Sequence, residues 1–258
     1  MIKRFPLSSA LCGCFFACAL ANAQSGGLRV LVYTRNTVTE KSSYIHDNIA
    51  DSVEALHKIG VANGFAVDAT DDPAVFTRAN LKRYKAIVFS NTHNQAFTTD
   101  GQRQAFQYFV QHGGGLVGLH AATTSEREWP FFVSAMGGKF VRHPKLQKFV
   151  VRVVDPKHPA TRGMPASFEW EDECYFHDSL APGLHPLLVT DPTALNDADS
   201  GKYPDSLVGK MIPLAWTITT DGRRVFYTAL GHQKEHYSDP FFVKHIQGGL
   251  LWAMGKTK

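Results

Sequence analysis

Histidines and acidic residues follow several predicted strands, at positions where their side chains could act on a ligand. His120 ends the glycine-rich stretch 113–120, and the four residues before it are apolar or glycine. Such a run is typical of a strand buried on both faces. Open α/β sheets bind ligands beyond the carboxyl ends of their parallel strands. We therefore take His120 as the first active-site candidate, with a core or capping histidine as the structural alternative.

Three further polar groups lie near predicted strand ends, at residues 142–144, 169–175 and 231–237. The first group contains His143. The last contains His232, which follows a glycine at the end of a strong strand and so has the same local setting as His120. His236, four residues later, also fits a surface or helix-capping position.

The acidic run 169–175 alternates in the way that a strand does, which assigns its side chains to two faces. A period of two places Glu171, Glu173 and Tyr175 on one face and Asp172 and Cys174 on the other. Because its neighbours Cys174 and Tyr175 are less polar, we expect Glu173 to point inward. The other glutamates fit a solvated surface.

A carboxylate among imidazoles suits two kinds of chemistry. It can transfer protons, and it can bind a divalent ion such as zinc, manganese or iron. His232 and His236 would share a helix face, but Glu235 is not where the H-E-x-x-H motif requires it. The sequence therefore favours acid–base chemistry, assigns no metal ligand, and leaves a divalent metal open as a cofactor.

Nucleophilic hydrolysis has no support in the sequence. There is no G-x-S-x-G motif. Cys174 is the one cysteine after residue 23, and it does not stand between a strand and a helix.

A repeated strand–helix pattern positions these residues. Apolar and β-branched runs predict strands, at residues 28–34, 65–69, 84–90 and 116–119 and later at 149–155, 187–190, 212–219 and 224–230. Helical spacing of apolar residues predicts helices, at residues 44–63, 98–111, 129–136 and 240–254. Asp221-Gly222 predicts a hairpin between the last two strands. The alternating first half indicates an α/β fold with a doubly wound parallel sheet.

The N-terminus has the three parts of a secretory signal peptide. Lys3 and Arg4 precede the apolar or small residues 7–20, and Ala21-Asn22-Ala23 is a cleavage site of the A-x-A type. A lipobox-like stretch at 11–14 offers a lipoprotein signal as the alternative. We expect a signal peptide over 1–23, a single domain over 24–258, and a periplasmic or secreted protein.

Charge and composition exclude several partners. Without Lys3 and Arg4 the formal net charge falls from +4 to +2. A nearly neutral chain without charge blocks gives no indication of a nucleic-acid or membrane partner. One cysteine after residue 23 allows no intrachain disulfide. The oligomeric state stays open.

Five stretches taken together resemble the ThuA-like (trehalose utilisation) family of the class I glutamine amidotransferase-like superfamily. They are residues 113–120, 137–140 with His143-Pro144, 155–161, 172–175 and 224–232. The resemblance implies a flavodoxin-like α/β fold with helices on both faces of a doubly wound, mainly parallel sheet. The true amidotransferases have a cysteine at the elbow between strand and helix. His120 takes that position here, so we expect no glutaminase activity.

The resemblance also implies sugar metabolism, with a small carbohydrate such as a glycoside or keto-sugar as partner. One hypothesis is an exported enzyme that isomerises, eliminates or hydrolyses the sugar by acid–base chemistry. Glu173 or His120 would be the base, and His232, Tyr175 or a bound cation would stabilise the oxyanion. The predicted substrate-binding residues are His143, Tyr175, Trp170, Gly118 and His236. The alternative is a non-catalytic carbohydrate-binding protein.

These hypotheses require one shared pocket. His120 and His232 follow strands that would end at the same edge of the sheet, and Glu173 lies between them in sequence. We therefore expect all three side chains to converge.

Overall fold

A nine-stranded mixed sheet forms the centre of the computed structural model, which describes residues 27–39, 44–203, 207–220 and 222–257. The strands are Arg29–Tyr33 (β1), Ala66–Thr70 (β2), Ala86–Ser90 (β3), Gly115–Leu119 (β4), Lys139–Arg142 (β5), Gln147–Val153 (β6), Ser167–Asp172 (β7), Phe176–Asp178 (β8), His185–Thr190 (β9), Ile212–Thr220 (β10) and Arg223–Thr228 (β11). The helices are Ile49–Asn63 (α1), Arg78–Leu81 (α2), Asp100–Gln111 (α3), Pro130–Met136 (α4) and Pro240–Ala253 (α5). The predicted signal peptide lies outside the described residues.

The order of the strands confirms the flavodoxin-like fold class. The sheet runs β2-β1-β3-β4-β11-β10-β9-β6-β7, and the pairs among its first five strands are all parallel. The other four strands extend the sheet through antiparallel pairs. Strands β5 and β8 form a separate two-stranded sheet.

Helices cover both faces of the sheet because successive side chains of its buried strands point in opposite directions. In β1, Val30 and Val32 join the core that also contains Leu56 of α1 and Leu250 of α5. Leu31 and Tyr33 join the opposite core, which includes aromatic residues of α3 and α4. No helix among the described residues is both long and apolar enough to span a membrane.

The late strand β11 takes a place in the centre of the sheet that matters for the site. It pairs in parallel with β4, and Thr228 lies opposite Leu119. Residues that follow these two strands therefore emerge side by side. β11 also pairs with β10 in the predicted antiparallel arrangement, although Asp221 of the turn lies outside the described residues.

Most predicted elements agree with the structure to within two residues at each end, but one helix starts later than predicted. Helix α1 begins at Ile49 rather than at Tyr44. The reason is that Asn48 donates side-chain hydrogen bonds to the carbonyl oxygens of Gly231 and His232, each at 2.7 Å. These bonds hold the segment before α1 against the loop after β11, so residues 44–48 stay outside the helix.

The acidic strand also ends earlier than predicted. Strand β7 stops at Asp172, and Glu173, Cys174 and Tyr175 lie beyond it. The alternation of faces therefore fails after Asp172, because the successive residues Cys174 and Tyr175 are both buried. Glu173 turns inward as expected, but it does not share a face with Glu171.

Buried histidines should make the fold sensitive to acid. Burial lowers the pKa of His177 to about 3 and the pKa values of His245 and His158 to about 4. The unfolded chain binds protons at these positions below about pH 6.5, whereas the folded chain excludes them until about pH 4. The stabilising contribution of these three histidines should therefore be fully present above about pH 7.5 and fall by roughly 1–2 kcal/mol per histidine between pH 7 and pH 5.

Urea denaturation at pH 7.5 and pH 5 measures this loss, and His245→Asn provides the matched variant. The His245 ring lies 2.8 Å from the Ala160 carbonyl oxygen, and an asparagine amide can also donate to that oxygen but does not titrate. We expect a shallower pH dependence for the variant. An equal free energy of unfolding at both pH values would contradict the prediction.

Candidate active site

His120 occupies a strained elbow directly after β4. Its φ angle is 46°, in the left-handed backbone region that residues other than glycine rarely adopt. Two contacts from the end of β11 hold it there: the His120 carbonyl accepts from the Tyr227 hydroxyl at 2.7 Å, and the His120 Nδ1 lies 2.7 Å from the Ala229 carbonyl oxygen. Strain of this kind persists where the surroundings enforce it, often at functional sites.

The contact with Ala229 also fixes which ring nitrogen of His120 is free to act. A carbonyl oxygen only accepts, so Nδ1 carries a proton, and Nε2 is the ring nitrogen that faces the neighbouring polar groups. Nε2 lies 2.9 Å from the Tyr175 hydroxyl, 3.0 Å from His46 Nε2 and 3.3 Å from His232 Nδ1. His120 is therefore the centre of a compact polar cluster.

Glu173 supplies the negative charge of this cluster. Its Oε2 lies 3.2 Å from His232 Nδ1 and 3.5 Å from His120 Nε2, and its Oε1 lies 3.6 Å from His143 Nε2. Burial raises the pKa of Glu173, but its interactions with His120 and His232 outweigh burial and hold that pKa well below the usual range. The carboxylate is therefore ionised at neutral pH. We call the group formed by His46, His120, Glu173 and His232 the His/Glu cluster.

The histidines of the His/Glu cluster differ in basicity. Burial, aided by the neighbouring His120 and His232, lowers the pKa of His46 to about 2, so this ring is neutral. Burial also lowers the pKa of His232, but the hydrogen bond and charge of Glu173 outweigh it and leave that pKa raised. The cluster thus combines an ionised carboxylate with one neutral imidazole and one more basic imidazole, a set that can take up and release protons near neutral pH.

Asp172 fixes the backbone on both sides of the His/Glu cluster. Its buried carboxylate accepts from the peptide N–H groups of Glu173 at 2.8 Å, Gly231 at 2.8 Å and His232 at 3.3 Å. It also accepts from the Trp170 indole at 3.0 Å. One carboxylate therefore joins the end of β7 to the loop after β11.

Asp172→Asn should lower the free energy of unfolding by roughly 2–4 kcal/mol, because an amide nitrogen would replace an oxygen that accepts two buried donors. Urea denaturation measures the change. Glu169→Gln, at an exposed position of the same strand, should stay within about 0.5 kcal/mol of the wild type. Equal effects of the two substitutions would contradict the role of Asp172.

The predicted substrate-binding residues separate into two groups. Tyr175 contacts His120, and His143 lies near Glu173 with its ring stacked on that of Tyr175, at 5.5 Å between centroids. The side chain of His143 is 34% exposed, so it marks the open side of the cluster. The ring of Tyr44, a residue that is 55% exposed, lies parallel to the His232 ring with 6.1 Å between the ring centroids. His143 and Tyr44 together form the exposed rim of the cluster.

Gly118, Trp170 and His236 form the second group, and the structure shows packing contacts for them. A Cβ on Gly118 would lie 2.8 Å from the Tyr227 ring and 2.9 Å from the Met136 sulfur, so the glycine makes room inside the core. The Trp170 and His236 rings pack on each other with 4.5 Å between their centroids. His236 Nδ1 lies 3.5 Å from the Asp172 carboxylate. A contact of these three residues with a substrate stays a prediction.

Cys174 does not offer a nucleophile. Its side chain is completely buried, and burial raises the pKa of the thiol well above its usual value. The elbow position belongs to His120, as expected from the sequence.

His46, Tyr44 and Asp172 are the contributors that the sequence analysis missed. His46 was assigned to a helix, because Ile45 and Ile49 fit the helical spacing of its apolar residues. The signal that could have found it is its place in the long connection after β1, another strand that ends at this edge. Asp172 was assigned to the face opposite Glu173 and given no role.

Comparison with known proteins identifies the family of this chain. The family model for trehalose utilisation (ThuA) matches residues 29–253, nearly all of the described chain. Among curated proteins, no sequence is significantly similar. Among solved structures, a ThuA-like protein from Bacteroides uniformis superposes with a TM-score of 0.69 at 24% identity, over 90% of this chain and 93% of that one.

A second ThuA-like protein, from Parabacteroides merdae, has the same fold. It superposes with a TM-score of 0.62 at 20% identity, over 88% of this chain and 90% of that one. At these identities the two structures support the fold alone.

Proposed function

Because this chain belongs to the ThuA family of trehalose utilisation, we propose that it modifies a carbohydrate by acid–base chemistry at the His/Glu cluster. The family supports a function related to sugars. The observation that carries the proposed chemistry is the position of Glu173, whose ionised carboxylate lies within 3.5 Å of two imidazoles beside an exposed rim.

A keto-sugar is the substrate that this arrangement suits best. The carbon next to a carbonyl group carries an acidic proton, and its removal needs a base together with a donor for the developing oxyanion. Glu173 is the base in this proposal. His232, with its raised pKa, and the Tyr175 hydroxyl are the donors that hold the oxyanion.

The rings at the rim of the cluster favour a carbohydrate ligand. Tyr44 presents an exposed ring parallel to His232, and His143 lies near Glu173 Oε1. An aromatic ring can pack on the apolar face of a sugar while its hydroxyl stays in water. The sugar would therefore lie between Tyr44 and His143, with its reacting carbon over Glu173.

A panel of glucosides and 3-keto-glucosides, incubated with the purified chain with and without a divalent metal, tests the proposal by product analysis. We expect conversion of at least one keto-sugar. A sugar that binds with its structure unchanged would favour the alternative, a non-catalytic carbohydrate-binding protein. Substitution of Glu173 by Gln separates the two functions, because a binding protein would keep most of its affinity.

Export to the periplasm or the medium is part of the proposal and rests on the sequence of residues 1–23. N-terminal sequencing of the protein isolated from the expressing cell should begin at Gln24 or within a few residues of it. Soluble cytoplasmic protein that retains Met1 would contradict export.

A further inference from the structure

We propose that His46, His120, Glu173 and His232 form a binding site for a divalent transition-metal ion of the zinc, manganese or iron type. Each residue offers one ligand atom, and the four atoms lie within 4.8 Å of one another. Three imidazoles and one carboxylate are a donor set that these metals accept.

Four of the six distances between the donor atoms match those of a coordination shell. Ligands about 2.1 Å from a tetrahedral ion lie roughly 3.4 Å from one another. His120 Nε2 lies 3.0 Å from His46 Nε2, 3.3 Å from His232 Nδ1 and 3.5 Å from Glu173 Oε2. His232 Nδ1 lies 3.2 Å from Glu173 Oε2. The other two pairs, His46 with His232 and His46 with Glu173, lie within 4.8 Å.

Hydrogen bonding alone does not account for this crowding. His120 Nε2 can form one hydrogen bond of good geometry, as donor or as acceptor, because Nδ1 of the same ring donates to the Ala229 carbonyl. Two further ring nitrogens, a hydroxyl and a carboxylate oxygen nevertheless lie within 3.5 Å of Nε2. A cation at the centre would instead bind the ligand atoms of His46, His120, Glu173 and His232 at once.

The residues around the cluster hold the ligands in the way that metal sites require. Histidine ligands usually donate their second N–H to a carbonyl or carboxylate, which orients the ring. His120 does so to Ala229 at 2.7 Å. Asp172 fixes the peptide groups of Glu173 and His232, so two more ligands are held through their backbone.

An ion at this position would have one side open to a ligand. Glu173 and His232 keep 13% and 18% of their side chains exposed, on the side of His143 and Tyr44. A sugar oxygen could bind the ion there, and the ion would then supply Lewis-acid stabilisation of that oxygen. With the ion bound through Glu173 Oε2, the other carboxylate oxygen, Oε1, would remain as the base, and the ion would hold the oxyanion in place of His232. Metal binding does not depend on the proposed sugar chemistry, so the test measures the ion directly.

The test is a titration of the full chain, first treated with EDTA and dialysed, with Zn²⁺ and with Co²⁺. We expect one ion per chain by calorimetry, and a Co²⁺ visible spectrum typical of nitrogen and oxygen ligands. His46→Ala should weaken Zn²⁺ binding by at least about 100-fold. His112→Ala, at an exposed position after α3, is the control and should not change the affinity.

His232→Ala provides a second ligand variant, in case His46→Ala does not fold. No stoichiometric binding to the wild-type chain, or binding that neither ligand variant weakens, would overturn the proposal. Binding without turnover of any sugar would contradict the proposed function and leave the metal site supported. Turnover of a sugar by the EDTA-treated chain, without binding of either ion, would contradict the metal site and leave the proposed function supported.

Discussion

Glu173→Gln should lower the turnover of a keto-sugar by about 10²–10⁴-fold, the usual contribution of a positioned acid–base group. The amide has nearly the shape of the carboxylate but cannot accept the substrate proton. It also removes the charge that raises the pKa of His232. Initial rates at saturating and at low substrate measure the effect, and we expect most of the loss in kcat.

Glu171→Gln is the matched control for this prediction. Glu171 lies two residues away in the same acidic run, at an exposed position of β7 opposite Lys148. Its substitution should leave kcat unchanged. Equal activity of the wild type and Glu173→Gln would refute the role of Glu173 as the base.

The second large effect is expected for His120→Asn, which should lower turnover by at least about 10²-fold. Asparagine tolerates the left-handed backbone that His120 adopts, so this variant removes the imidazole with little additional strain. His120→Ala removes the same ring but favours that backbone less, and it should also be less stable by roughly 1 kcal/mol or more.

A comparison of the two variants separates the chemistry of the ring from the strain of the elbow. Thermal unfolding should show His120→Asn to be the more stable of the pair, while both lose activity. If His120→Asn keeps full turnover, the ring is only a structural element. His112→Asn, at the exposed end of α3, controls for the loss of a histidine elsewhere.

The sequence predicted the parts of the site that follow strands. His120 and His232 come directly after β4 and β11, and the parallel pairing of these strands places both rings at one edge. Glu173 was correctly assigned as the inward carboxylate, but for an incomplete reason. Alternation does not direct it inward. The strand ends before it, and Asp172 holds its peptide group.

The remaining contributors depend on contacts between distant segments, which local patterns do not encode. His46 reaches the cluster because Asn48 binds the carbonyl groups of Gly231 and His232, more than 180 positions further along the chain. The spacing of apolar residues near His46 is helical, and tertiary contacts override it. Trp170 and His236 were assigned to substrate for their residue types, but they pack on each other behind Asp172.

Proton exchange tests the acid–base claim most directly. The purified chain is incubated with a 3-keto-glucoside in D₂O, and the sugar is followed by NMR. We expect deuterium to enter at a carbon next to the carbonyl faster than in buffer alone, and Glu173→Gln to return the rate to the buffer level. A keto-sugar that binds to the wild type, exchanges no faster than in buffer and stays chemically unchanged would contradict the proposed chemistry.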